Sequence, residues 1–125
     1  MKFRLLSDPA TGQPYMFPQG YRSDWVYADD YATWEASDPI AQPSLQMYMI
    51  WPWVLDEDGV AYDEGAYIQY GGFADMRICV DEMRPIHRRK IRIGVKGYWV
   101  RGAQRIAEAE VVDILYLNHD FGKLK

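Results

Sequence analysis

The residues best equipped for chemistry in this chain are aromatic and basic, and they sit close together. Gly97-Tyr98-Trp99-Val100-Arg101-Gly102 sets a tyrosine, a tryptophan and an arginine between two glycines. Those three types dominate the hot spots of protein interfaces. The segment is expected to be a hairpin tip that offers Tyr98, Trp99 and Arg101 to a protein partner. Its competitor is that Tyr98 and Trp99 merely extend a strand and pack on neighbours. A basic stripe precedes the tip: residues 84–105 hold eight Lys or Arg and no acid. Strand alternation would turn Lys90, Arg92 and Lys96 outward and Ile91, Ile93 and Val95 inward. Such a stripe suits phosphate contacts. It also suits an ordinary hairpin with 104–112, in which Lys90 faces Glu110 and Arg92 faces Glu108, each pair contributing roughly 0.2–1 kcal/mol.

Other candidates are weaker. Trp51-Pro52-Trp53 has flat aromatic faces for a sugar or proline ligand, but packing at a barrel end explains it as well. Asp56-Glu57-Asp58-Gly59 lacks the ligand spacing and closing glutamate of a calcium loop and reads as a solvated turn. The two histidines, His87 and His119, have no partner at metal-ligand spacing. Cys79 lies in an apolar strand without a neighbouring histidine and reads as an inert buried thiol. No acid pair sits in an apolar setting that would tune one member as a proton donor. No catalytic set, metal or cofactor is expected, and the chain is not read as an enzyme.

The elements that must carry these residues are strands. Met76, Ile78 and Val80 alternate with polar neighbours, as do Ile91, Ile93 and Val95. Leu45, Met47, Met49 and Trp51 form a third run expected to share one face. Asp8-Pro9-Ala10-Thr11-Gly12, Pro18-Gln19-Gly20, Asp38-Pro39, Asp56–Gly59 and Gly71-Gly72 supply turns between them. Frequent short strands without a clear helix predict an all-β chain, a small antiparallel β-barrel spanning residues 1–125 as one domain. Residues 28–43 are the least strand-like, with a short helical turn expected around Asp29–Glu35. The apolar content of 49% is enough for a core. The absence of any ~20-residue apolar run argues against a membrane span. A lone cysteine and an N-terminus interrupted by Asp8 and Pro9 point to a reducing, cytoplasmic setting.

Motif order adds a family resemblance. Lys2-Phe3-Arg4-Leu5-Leu6-Ser7-Asp8 leads through Gly12, Pro14 and Phe17 to Gly20-Tyr21-Arg22. Later come Gly71-Gly72-Phe73-Ala74-Asp75, Met83-Arg84-Pro85-Ile86, Arg92-Ile93-Gly94-Val95-Lys96, and Ile106-Ala107-Glu108-Ala109-Glu110-Val111, running on to Leu115. In order and spacing the series resembles the C-terminal (third) β-barrel domain of elongation factor Tu, detached from its GTPase. Residues 28–67 have no counterpart in that family. The hairpin is longer by about four residues, Tyr98–Arg101, and ends in Gly102-Ala103-Gln104. No Gly-x-x-x-x-Gly-Lys-Ser/Thr loop is present, so GTP binding is not expected.

The resemblance implies a non-catalytic binding platform. In the family this domain packs on sibling domains, touches the T stem of aminoacyl-tRNA and receives protein partners. At matching positions it carries over Arg22, Arg92 and Lys96 as residues that would contact RNA. Residues 1–83 hold fourteen acids against four bases, and the whole chain has a pI near 5.1. Such a field repels phosphate at long range. Protein docking therefore stands first, with an immunity protein or antitoxin facing a basic toxin as one form. A tRNA-binding accessory protein stands second. A small-ligand or enzymatic site near Trp51 and Trp53 stands third.

Overall fold

A computed structural model describes residues 1–40, 44–102 and 104–114. Ala103, Leu115 and His119 lie outside the described residues. Among the described residues eight strands and two short helices follow one another: β1 (Lys2–Leu5), β2 (Phe17–Pro18), β3 (Ser23–Tyr27), α1 (Ala28–Glu35), β4 (Tyr48–Leu55), β5 (Tyr67–Ile68), β6 (Gly71–Ile78), a 3-10 turn (Asp81–Met83), α2 (Arg84–Lys90), β7 (Lys96–Arg101) and β8 (Gln104–Glu110). Six strands close into an antiparallel barrel in the order β1-β6-β4-β3-β7-β8, with β8 pairing back onto β1. The all-β barrel expected from the alternation is what forms. No helix among the described residues is long and apolar enough to cross a membrane.

The barrel is filled from alternate positions of every strand, as a closed sheet requires. Phe3, Trp25, Tyr27, Ile50, Val54, Ala74, Trp99 and Ile106 meet in its interior. Trp99 stacks on Phe3 with ring centroids 4.5 Å apart and presents its edge to Phe17 at 5.8 Å. Phe17 and Ile68, from the separate β2–β5 ribbon, are buried in the same cluster. Gln19 fastens that ribbon. Its side-chain amide donates to the Val54 carbonyl at 3.0 Å, and its Oε1 accepts the Val54 amide at 2.9 Å. This buried glutamine has both ends of its amide satisfied, so its burial is not penalised.

Three local expectations are corrected. Tyr48, Ile50, Pro52 and Val54 face inward on β4, while Met49, Trp51 and Trp53 face outward, the opposite phase to the one expected. Both faces of that segment are apolar, so alternation alone does not choose the phase. Residues 84–90 form a helix instead of leading into a strand at 90–96. Ile93 is 70% exposed in the turn that follows. Pro85 at the first helical turn and Arg88, Arg89 and Lys90 in the last suit a helix, because proline fits the start and cations suit the negative C-terminal end. The cross-strand ion pairs shift accordingly. Glu110 faces Lys96 and Glu108 faces Tyr98, while the Glu108 carboxylate accepts from Arg4 on β1 at 2.7 Å. The short helix expected near Asp29–Glu35 is present as α1, which covers Val26 and Val100 on the barrel's outer wall.

Candidate functional site

Of the three proposed docking residues, only Arg101 is exposed. Trp99 has 0% of its surface exposed, inside the barrel. Tyr98 is half-buried beneath α1, with its ring 5.2 Å from that of Tyr31 and the Arg105 guanidinium over it at 5.0 Å. Arg101 donates to the Tyr21 hydroxyl at 3.2 Å. The strand continues four residues past Gly97, so the turn falls at Gly102 and the aromatic pair becomes wall and core. Trp99 therefore cannot meet a partner while the barrel is closed.

The three residues proposed for RNA are dispersed. Arg22 precedes β3 and lies over the Trp51 ring at 4.5 Å. Lys96 opens β7, at the other end of the β3–β7 pair, where Tyr27 faces Gly97. Arg92 turns back on its own loop, donating to the carbonyls of Ile91 at 2.6 Å and Arg88 at 3.0 Å. Trp51 and Trp53 stand side by side on the outer wall at 5.1 Å, flanked by Arg22 and Arg77. Their position is the barrel's side, not its end.

What sequence reasoning missed is an opening in the wall. β1 pairs with β6 only at Gly71, Gly72 and Phe73. One step further, Ala74 exchanges two hydrogen bonds with Met1, each at 2.8 Å. Beyond Ala74, no described strand lies on that side of β6. Backbone groups of successive strand residues point to alternate sides. Ala74 points toward β1, and the Cys79 amide donates to Met49 on β4. Met76 and Ile78 therefore turn their N–H and C=O groups toward the unpaired side.

That edge borders a cleft of about 760 Å³, within the range that ligand sites occupy. Trp25, Ile50, Ala74, Met76, Ile78 and His87 form its inner wall, and Ile91 and Val111 stand on its far side. At the mouth are Asp56, Glu57, Asp75 and Asp113, against Arg77, Arg84 and the Met1 ammonium, which interacts with Asp75 and Asp113.

His87 is the one buried ionisable side chain of this wall, only 2% exposed. Its Nδ1 lies 2.5 Å from the Tyr27 hydroxyl, and its ring packs edge-on to Tyr48 at 4.7 Å. Nε2 is buried and has no hydrogen-bond partner among the described residues. Burial, seconded by the charges of Lys90 and Arg84, lowers the His87 pKa to about 4. Burial raises that of Tyr27, and the Tyr48 side chain adds to it. Both rings are uncharged at neutral pH.

Lys90 closes the cluster from above. Its ammonium sits 4.3 Å from the centre of the Tyr27 ring and 2.8 Å from the Asp30 carboxylate. Burial works against the charge on Lys90, but Asp30, helped by Asp29, outweighs it and leaves the pKa raised. α1 and α2 are thereby tied together over the barrel. Cys79 lies just after β6 on the β4 side and is half-buried, not the fully buried strand residue expected; desolvation pushes its thiol up. No group of three His, Cys, Asp or Glu side chains among the described residues could hold a metal ion. Comparison of the chain with protein-family models, curated proteins and solved structures gives no match.

Proposed function

We propose that this protein is a non-catalytic binding module that docks a partner protein by accepting an extended segment of it as an added strand on β6. One observation carries the reading: Met76 and Ile78 present backbone groups that no described residue pairs to a cleft that their own side chains help to line. Strand addition takes its affinity from main-chain hydrogen bonds and its specificity from alternate side chains entering pockets. An exposed edge of this kind is ordinarily blunted by charge, proline or a covering element. Here Met76 and Ile78 are neither charged nor proline. The resemblance to the third domain of elongation factor Tu agrees with a docking role without chemistry. The acidic mouth favours a basic partner, as an immunity protein or antitoxin facing a basic toxin would require.

Exchange and substitution test this directly. In the free protein the amides of Met76 and Ile78 are expected to exchange with deuterium faster than those of Asp75 and Arg77. Met76→Pro deletes one edge donor that the β4 ladder does not use, and proline is tolerated at such edge positions. Affinity capture from source-cell lysate should then recover a stoichiometric protein with the wild-type chain and lose it with Met76→Pro. Equal capture by both, or equally slow exchange at all four amides, overturns strand addition.

A further inference from the structure

We infer that the segment docked on β6 turns a neutral hydrogen-bond acceptor, an amide or hydroxyl side chain, inward to Nε2–H of His87, and is flanked by basic residues. This rests on the strand-addition reading above.

The first ground is the proton inventory of the buried pair. A phenol has one hydrogen to give, and a neutral imidazole has one donor and one acceptor nitrogen. If the Tyr27 hydroxyl donates to Nδ1, the proton of His87 resides on Nε2, and only that N–H is left without a partner. If Nδ1 donated instead, the Tyr27 hydrogen and the bare Nε2 would both be stranded. A buried group without a partner carries the full cost of its desolvation, so the arrangement that strands one group prevails over the one that strands two. Nε2–H is thus a fixed donor on a ring that lines the cleft.

The second ground is what such a donor can accept. The inner wall around it is Trp25, whose indole N–H is likewise buried without a partner among the described residues, with Ile50, Ala74, Met76 and Ile78. An added strand sends every second side chain to the interior side of the barrel, into this apolar space. An apolar side chain there would fill volume and leave Nε2–H unsatisfied. A carboxylate would bring a buried charge to an uncharged ring. The mouth would oppose it too, since four acids there outnumber two arginines and the Met1 ammonium, and the Arg77 guanidinium already lies over Trp53 at 5.4 Å. Asparagine, glutamine, serine and threonine avoid both costs. The same four acids favour lysine or arginine on either side of the segment.

The test is selection of a random nonapeptide library displayed on phage against the folded protein. The expected winners alternate apolar positions, carry one Asn, Gln, Ser or Thr at a fixed inward position, and have Lys or Arg at their ends. A synthetic winner should bind about tenfold more tightly than its own variant with leucine at that position. Against His87→Phe the preference should vanish; Tyr27→Phe, which frees the ring while keeping it, should weaken it and serves where His87→Phe does not fold. Winners with only apolar residues inward, or a preference unchanged on His87→Phe, overturn the inference and leave strand addition standing. No enrichment over Met76→Pro overturns strand addition itself.

Discussion

The hydroxyl of Tyr27 stands 2.5 Å from Nδ1 of His87 and joins β3 to α2 through the interior of the barrel. Burial, with the nearby charges of Lys90 and Arg84, keeps this histidine uncharged. Tyr27 and Tyr48 face the ring from β3 and β4, and Arg84 and Lys90 from α2 itself, with Asp30 of α1 held by Lys90. Its pKa is lowered to about 4, against 6.5 in an unfolded chain. Between those values the unfolded chain binds more protons, so stability is lost as pH falls from 6.5 toward 4 and this loss levels off below. Thermal melts of wild type and His87→Phe across pH 3.5–7.5 isolate the effect from other carboxylates. The wild type is expected to lose more stability over that window, and parallel curves would sink the assignment.

Gly97 makes room for Trp25. A Cβ at residue 97 would stand 2.3 Å from Cη2 of the indole and 2.6 Å from the Val26 carbonyl oxygen. Gly97→Ala must therefore displace a ring that fills the core between β3 and β7. Overpacking of this kind costs about 1–3 kcal/mol. Chemical denaturation with an unchanged slope and a lower midpoint is the expected outcome. Trp25 also lines the cleft, so weaker capture of a docked partner should accompany the loss.

The barrel was legible because frequent turns separate short stretches of alternation, of which Met76 and Ile78 on β6 fall on one face as expected. The phase of β4 was not legible, because Trp51 and Trp53 are as apolar as Ile50 and Val54. α2 left a readable signal that alternation concealed: Pro85 where a helix starts and three cations, Arg88, Arg89 and Lys90, where it ends. The open edge had no sequence signal at all. It depends on which residues come to lie beside Met76 and Ile78, which is a matter of long-range pairing and not of local residue type. His87 carried no motif for the same reason, since its partners Tyr27 and Tyr48 are sixty and thirty-nine positions away.

Trp99 shows what the placement of a single turn decides. As an exposed hairpin tip it would be lost without harm to the fold; on β7 it stacks on Phe3 and meets Phe17 edge-on. Trp99→Ala removes a large buried ring, a change that costs about 3–5 kcal/mol in a core. Much of a typical domain's stability is of that size. Circular dichroism should show a variant largely unfolded or melting far below the wild type. Arg101→Ala, at the exposed end of the same strand, should leave the melt nearly unchanged.

RNA contact through Arg22, Arg92 and Lys96 makes a contrasting demand. Phosphates must reach three cations that the fold sets apart, Arg22 and Lys96 being at opposite ends of the β3–β7 pair. By this register Lys96 stands opposite residue 28, six residues along from Arg22, a separation of about 20 Å at ~3.3 Å per residue. Arg92 is spent on carbonyls of its own loop, and Lys96 faces Glu110. Bulk tRNA in a gel-shift assay is therefore expected to show no saturable complex at physiological salt, and Arg92→Glu should change nothing. A complex that weakens steeply between 50 and 200 mM salt, and disappears with Arg92→Glu, would restore the phosphate-binding reading, because such a slope counts released counterions.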